Sequence, residues 1–113
     1  MENFTNLDVW QKASDLTLSI YQLTDDLPKE EKYRLGDQIR RSASSVPANI
    51  VEGKGRNSLK EYIQFLYNAR GSLEETKYYL LLAKDLKYIP RQDFKTLAND
   101  CNDVGQMLHG LIH

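Results

Sequence analysis

The sequence predicts an all-α fold, an antiparallel up-down four-helix bundle, and three observations support this prediction. Apolar residues recur at intervals of three and four along four successive segments, which is the spacing of one face of an α-helix. The boundaries between those segments are marked by Pro28, by Gly53 and Gly55, and by Pro90, so the connections are short and neighbouring helices are expected to pack antiparallel. No segment alternates apolar and polar residues with the period of two that a half-buried strand shows.

Length and composition indicate one globular domain over residues 1–113. The chain is 41% hydrophobic and 27% charged, which is ordinary for a globular protein and excludes the disordered class. The longest apolar run, YYLLLA, is far shorter than the roughly 20 residues that span a bilayer. The first residues lack a basic segment followed by an apolar one, and Cys101 is the only cysteine. We therefore expect a cytoplasmic protein without membrane contact.

The first helix is predicted over residues 6–27, with Thr5 and Asp8 as a capping pair. One apolar stripe runs along it: Trp10, Ala13, Leu16, Ile20, Leu23 and Leu27. Trp10 could be a platform for a ligand, but as the large member of a regular stripe it is predicted to lie in the core.

The second helix is predicted to begin at Pro28 and to end at the glycines that follow Glu52. Pro47 has no amide hydrogen and disfavours helical angles at Val46, so the helix is expected to kink at Pro47. Its buried stripe continues across the kink: Leu35, Ile39, Ala43, Val46 and Ile50. Gly53 is expected to take the left-handed conformation that closes many helices.

The third helix is predicted from Ser58, which forms a capping box with Glu61, to about Leu86. A regular inner stripe runs from Leu59 to Ala83, and a second apolar set lies at other angles: Tyr67, Tyr78, Tyr79, Leu82 and Leu86. An apolar second side indicates contact with another copy of the chain, whereas the alternative is that the fourth helix or the terminal segment covers it. Gly71 and Ser72 indicate a bend or a close backbone contact.

The fourth helix is predicted to begin at about Arg91, directly after Pro90. Its apolar stripe steps by three and four: Phe94, Leu97, Cys101, Val104, Leu108 and Leu111. Because Cys101 belongs to this stripe, it is predicted to be a small buried hydrophobe and not a reactive thiol.

The sequence favours a non-enzymatic protein without a metal or cofactor. His109 and His113 are the only histidines, and both lie too close to one chain end to complete a nucleophilic triad or a zinc site with the single cysteine. An enzyme would need a cleft that holds a pair of buried carboxylates, which the pattern does not provide.

Basic residues are concentrated in the middle of the chain. Residues 29–60 hold eight basic and four acidic residues, whereas residues 1–28 carry a net charge of −4. Glu30 and Asp37 are expected to pair with the arginines four positions later, Arg34 and Arg41. The basic residues that then become candidates for another role are Arg40, Lys54, Arg56 and Lys60.

The loop around these residues is a candidate anion site. The amides near Gly53 and Gly55, the start of the third helix and the cations of Lys54, Arg56 and Lys60 would together bind a phosphate. The alternative is a solvated loop whose glycines turn the chain and whose charges only face water.

Three strings carry a family resemblance: LDVWQKASDL, IYQLTDDLPKEEKY and QIRRSASSVPANIVEGKGRNSLKEYIQFL. In their order and spacing they resemble the bacterial four-helix-bundle proteins named for the intervening sequences of 23S ribosomal RNA genes. The resemblance implies a homopentameric ring. It also implies kinship with the accessory proteins of diversity-generating retroelements, which bind nucleic acid and partner with a reverse transcriptase. The basic surface of those relatives is formed partly by positions similar to Arg40, Arg41, Lys54 and Arg56.

These observations lead to one hypothesis and one rival. In the first, the protein is a ring-forming scaffold that binds RNA, DNA or a nucleic-acid-handling partner such as a reverse transcriptase. Phosphate contacts are then assigned to Arg40, Arg41, Lys54, Arg56 and Lys60, and subunit contacts to Tyr67, Tyr78, Tyr79 and Leu82. In the rival, the protein is an adaptor between proteins, and its arginines form ion pairs between subunits without nucleic acid.

Overall fold

A computed structural model of the chain describes residues 4–113 and contains four long helices. Helix α1 spans Asp8–Thr24, α2 spans Leu35–Lys54, α3 spans Leu59–Asp85 and α4 spans Arg91–Ile112. A 3-10 turn precedes α1, and a single helical turn, Lys29–Lys32, lies between α1 and α2. Residues 4–113 contain no strand, so the predicted all-α class is confirmed.

The helices form a closed cycle in which each one packs against the helices before and after it. Helix α1 contacts α2 and α4, and α3 contacts the same two helices from the opposite side of the bundle. Contacts between α2 and α3 join Ser45 to Ser72 and Ser42 to Thr76, so residue numbers rise along one helix as they fall along the other. The predicted antiparallel four-helix bundle is therefore confirmed, with dimensions of 43 × 23 × 20 Å.

The core lies on the bundle axis and draws residues from all four helices. Its largest fully buried side chains are Ile20, Ile39, Ile50, Leu66, Leu73, Leu80 and Leu108. Most of the predicted stripes are therefore buried as expected, and Trp10 packs against the core while its ring meets the edge of Phe4 at 5.1 Å. Leu111, near the end of α4, is an exception at 43% exposed.

Leu59 is a second exception, because it was assigned to the inner stripe of α3 and is 71% exposed. The contact between Lys77 and Asn102 fixes the antiparallel register of α3 and α4. In that register Ile112, where α4 ends, lies about level with Tyr67. The first two turns of α3 therefore extend past the end of α4, and no α4 side chain can cover Leu59.

Helix α2 runs without interruption through Pro47. A bend of its axis at Pro47 stays a prediction. The missing amide hydrogen of Pro47 leaves the carbonyl of Ala43 without its helical donor. The Thr17 hydroxyl, on α1, lies 3.2 Å from that carbonyl and 2.8 Å from the carbonyl of Ala13, so it can donate to either. A side chain of the neighbouring helix thus offsets the loss at Pro47.

Gly53 does not adopt the left-handed conformation that the sequence predicted. It lies within α2, which continues to Lys54. A Cβ atom on Gly53 would lie 2.7 Å from the Cβ of Phe65, so this glycine permits the close approach of α2 and α3. Among residues 4–113 the left-handed region is occupied by one non-glycine residue, Lys87 with φ 65°, and by no glycine.

The start of α2 also differs from the prediction. Pro28 precedes the single turn Lys29–Lys32, and α2 begins only at Leu35. The Arg40 guanidinium donates to the carbonyl of Lys32 at 2.7 Å and so ties the separate turn to α2. Gly36 leaves space for that contact, because a Cβ there would lie 3.1 Å from the Arg40 Nη1 atom.

The start of α1 was also placed too early. Helix α1 begins at Asp8, and its N-cap residue, Leu7, makes no side-chain capping hydrogen bond. The predicted capping pair of Thr5 and Asp8 is therefore wrong. Thr5 instead belongs to the 3-10 turn, and its carbonyl accepts from the Gln11 side chain at 2.7 Å.

We expect Thr17→Val to lower the free energy of unfolding by about 1 kcal/mol, because valine keeps the shape but leaves the Ala43 carbonyl without a donor. Thr17→Ser retains the hydroxyl and should cost less. In a Pro47→Ala background, where residue 47 regains an amide, the effect of Thr17→Val should shrink. Urea unfolding of the wild type, the two single variants and the double variant measures how strongly residues 17 and 47 are coupled. If Thr17→Val lowers the free energy of unfolding equally in both backgrounds, the Thr17 hydroxyl does not compensate for Pro47.

Candidate functional site

A seam of small polar side chains joins α2 to α3 and fixes the position of the candidate site. The Thr76 hydroxyl donates to Ser42 Oγ at 2.9 Å, and the hydroxyls of Ser45 and Ser72 lie 2.9 Å apart. Asn49 adds a donor to the carbonyl of Ser45 at 2.8 Å. Because these side chains are short, the two helices approach closely, and the loop between them is held at one end of the bundle.

Three of the cations predicted to contact phosphate lie at the end of the bundle that holds the α2–α3 loop. Lys54 closes α2 with its ammonium 5.7 Å from the centre of the Tyr62 ring, and the Arg56 guanidinium lies 4.8 Å from the centre of the Phe65 ring. Arg56 also faces Glu52 at 3.5 Å. Lys60 is exposed on the first turn of α3. The structure therefore places Lys54, Arg56 and Lys60 close together in the chain at one end of the bundle.

The amide groups assigned to the anion site are already used within the chain. The Gly55 amide donates to Val51 at 3.2 Å, and the Arg56 amide donates to Gly53 at 3.1 Å. At the start of α3, Ser58 Oγ accepts from the Glu61 amide at 3.2 Å, so the predicted capping box is confirmed. The amides of Gly55, Arg56 and Glu61 are therefore engaged within the chain, and the anion site stays a prediction.

The two neighbouring arginines of α2 have different environments from those predicted. Asp37 pairs with Arg40, three positions on, and not with Arg41. The side chain of Arg40 is only 17% exposed, whereas Arg41 points outward. Within residues 4–113 no ion pair to Arg41 is found. Arg41 lies 13 residues before Lys54, about 20 Å along the helix axis, and so stands apart from the loop cations.

The outer face of α3 carries exposed apolar residues, although its four predicted contact residues are not equally exposed. Tyr67 and Tyr78 are 38% and 57% exposed. Tyr79 and Leu82 are partly buried against the core of their own chain. Leu81, which the sequence pattern did not single out, is 38% exposed on the same side of α3.

Gly71 lies on this outer face, one turn after Tyr67. A Cβ atom there would meet nothing within 4 Å, so no contact inside the chain requires glycine at this position. Glycine in the middle of a helix costs about 1 kcal/mol relative to alanine. The neighbouring Ser72 makes the close contact with Ser45 that the sequence predicted for this region.

Cys101 lies on the floor of a groove between α3 and α4 and is fully buried. Burial raises the pKa of its thiol to about 12, because a thiolate in that position would lose its hydration. The nearby Lys77 opposes this effect, and Asp100 and Glu74 reinforce it.

The two histidines lie one turn apart at the end of α4, with ring centres 4.5 Å apart. Across residues 4–113 there is no group of three or more His, Cys, Asp or Glu side chains placed to hold a metal ion. Nor does any helix in that range combine the length and the apolar character needed to cross a bilayer.

Comparison with protein families gives a match over residues 5–110 to the model described as 23S rRNA-intervening sequence protein. The chain belongs to that family. The match covers α1, α2 and α3 in full and all but the last residues of α4, so the loop cations and the outer face of α3 both lie within it.

A solved structure supports the same assignment. It is a crystal structure of a protein of unknown function from the S23 ribosomal protein family of Bacteroides thetaiotaomicron. The two chains are 28% identical, the TM-score is 0.86, and the alignment covers 92% of this chain and 97% of that one. A search among curated proteins gives no match.

Cys101 should resist thiol reagents while the protein is folded. With a pKa of about 12 the group is protonated at pH 8, and its burial also blocks access. Ellman's reagent at pH 8 should therefore react slowly with the native protein and at once after unfolding in guanidinium chloride. Immediate, stoichiometric reaction of the native protein would show that the thiol is accessible.

Proposed function

We propose that this protein is a non-enzymatic scaffold that assembles from several copies and binds nucleic acid or a nucleic-acid-handling partner. The outer face of α3 is the proposed contact between copies, and the cations at the α2–α3 loop are the proposed phosphate contacts. The observation on which the proposal mainly rests is the exposed apolar face around Gly71, since assembly is what brings several basic loops together.

Three features of that face support contact with a second chain. Tyr67 and Tyr78 flank Gly71 on the same side of α3, and both rings are exposed. Exposed apolar groups grouped on one face are typical of a protein interface. A glycine with open space above it also allows another backbone to approach closely, which offsets its cost to the helix. Tyr79 and Leu82 lie at the inner edge of this face.

The loop cations support binding to phosphates. Lys54, Arg56 and Lys60 lie at one end of the bundle, and a phosphate backbone is bound mainly by such side chains. One loop offers too few charges for tight binding. An assembly repeats the loop in every copy, so several weak contacts act together at a high effective concentration.

The family resemblance gives this proposal a specific form. A ring of five copies is the assembly that it implies, and a reverse transcriptase is the protein partner that it implies. We propose a cytoplasmic setting, which agrees with the family's connection to ribosomal RNA. Arg41 would add a separate contact on α2, whereas Arg40 serves the Lys29–Lys32 turn and is assigned a smaller part.

The rival function is an adaptor that joins proteins without nucleic acid. Two observations favour it: Arg40 is engaged within its own chain, and Arg56 already faces Glu52 at 3.5 Å. In this case the outer face of α3 still joins copies, but the loop cations only form ion pairs.

Replacing Lys54, Arg56 and Lys60 together by Glu should abolish retention on heparin and binding to RNA at moderate salt. Wild-type binding should weaken steeply as salt rises, because each phosphate contact releases counterions. The matched control replaces three exposed cations elsewhere, Lys87, Arg91 and Lys95, by Glu and so makes the same change in net charge. Equal losses in both triple variants, or no salt dependence, would favour the adaptor.

Gly71→Gln should break the assembly into single chains, because a side chain at this position keeps a second backbone from approaching. The single chain itself should gain stability, by up to about 1 kcal/mol, since glutamine is a better helix former than glycine. Light scattering after gel filtration measures the mass. Gly110→Gln is the control, because Gly110 is also helical and a Cβ atom there would also meet nothing within 4 Å. An unchanged mass for Gly71→Gln would overturn this assignment.

A further inference from the structure

The groove between α3 and α4 combines cations and hydrogen-bond donors that no sequence motif connects. It has a volume of about 460 Å³ and opens to solvent along its length. Helix α3 contributes Arg70 and Lys77 to its walls, and α4 contributes Asn102, Gln106 and His109. All five side chains can donate hydrogen bonds.

The single carboxylate in the lining of this groove, Glu74, is neutralised by its neighbour. The Lys77 ammonium lies 2.9 Å from Glu74 and 3.3 Å from the Asn102 side-chain oxygen. Arg70 has no ion pair within residues 4–113. Its guanidinium lies over the Tyr67 ring, 4.8 Å from the ring centre.

Beyond Arg70, the first turns of α3 extend toward the loop cations. Because α4 ends level with about Tyr67, the side of α3 between Lys60 and Arg70 is open. Lys60, Arg70 and Lys77 fall within a sector of about 100° around α3, given 3.6 residues per turn. They are spread over about 25 Å of helix at 1.5 Å per residue. Arg70 and Lys77 lie about 20° apart on the groove wall, whereas Lys60 is turned about 80–100° from them, toward Tyr67 and Tyr78.

From this arrangement we infer that a single strand of RNA or DNA lies along the α3–α4 groove, with Arg70 contacting its phosphates. This inference rests on the proposed nucleic-acid function and adds to it a path, a strand type and a new contact residue, Arg70. Lys77 neutralises Glu74, and the amides and His109 donate hydrogen bonds from the opposite wall.

The shape of the groove favours a single strand over a duplex. Packed helices lie with their axes about 8–10 Å apart, so the furrow between α3 and α4 is too narrow for two paired strands. A single phosphodiester chain can follow such a furrow, and lines of cations along a groove are typical of proteins that bind single strands without sequence preference. A duplex could contact only the edge of α3.

The test uses fluorescence anisotropy with three labelled probes: a single-stranded RNA, the DNA of the same sequence, and the matching duplex. Wild-type protein should bind both single strands more tightly than the duplex. Similar affinities for RNA and DNA would show that the phosphates are read, whereas a preference for RNA would place a contact on the ribose 2′-hydroxyl.

Arg70→Glu should weaken single-strand binding about tenfold. It should also reduce the slope of log affinity against log salt concentration by about one. Arg70→Gln, which removes the charge without reversing it, should weaken binding less, and it guards against a folding defect in the first variant. The matched control is Arg91→Glu, the same change at an exposed position on the first turn of α4, which should leave the affinity within about twofold. Circular dichroism confirms that each variant is folded.

The possible results separate this inference from the function on which it rests. If the Lys54, Arg56 and Lys60 triple variant loses binding while Arg70→Glu does not, or if the duplex binds more tightly, nucleic-acid binding stands and the groove path is wrong. If the wild-type protein binds no probe at any salt concentration, both proposals are wrong. Loss in the Arg70 variants with retention in Arg91→Glu supports the groove path.

Discussion

The close approach of α2 and α3 is the constraint on which the rest of the bundle depends. Gly53 removes the side chain that would clash with Phe65, and Ser42 and Ser45 present hydroxyls in place of bulky groups. Hydrogen bonds between short side chains fix both the distance and the register of a helix pair, since a shift of one turn would leave partly buried hydroxyls without partners. The loop from Gly55 to Ser58 can be short because of this fixed geometry.

The position of α3 follows from that contact and explains why this helix carries both candidate surfaces. One side of α3 packs on α2 and another on α4, so its remaining face is directed to solvent with Tyr67, Gly71 and Tyr78 on it. Helix α3 also extends beyond the end of α4, which exposes Leu59 and leaves the edge near Lys60 open. The apolar face and Lys60 therefore lie on the same side of α3, whereas Arg70 lies beside them on the wall of the α3–α4 groove.

Much of this could be predicted from the sequence. The starts of α3 and α4 were predicted to within one or two residues, because Ser58 with Glu61 and a proline before Arg91 mark their first turns clearly. The spacing rules also identified the buried stripes, since burial on one side of a helix repeats with its period.

The errors share a physical origin, which is contact that the helical repeat does not encode. Gly53 was interpreted as the residue that ends a helix. Glycine is needed there because Phe65, on the next helix, lies where a side chain would be. Asp37 was paired with Arg41 by spacing, yet Arg40 is the partner because the Lys32 carbonyl holds its guanidinium nearby. The kink at Pro47 is not among these errors and stays a prediction; α2 is unbroken there, and the Thr17 hydroxyl on α1 reaches the carbonyl that Pro47 leaves without a helical donor. The groove containing Arg70 depends on the register of α3 and α4, which no local pattern shows.

The central claim is that the uncovered face of α3 brings copies of this chain together. Native mass spectrometry of the unmodified protein at micromolar concentration tests it most directly. The account predicts one dominant species whose mass corresponds to two or more copies of the 13.1 kDa chain. A spectrum that contains only the single chain, at every concentration and salt tried, would contradict it.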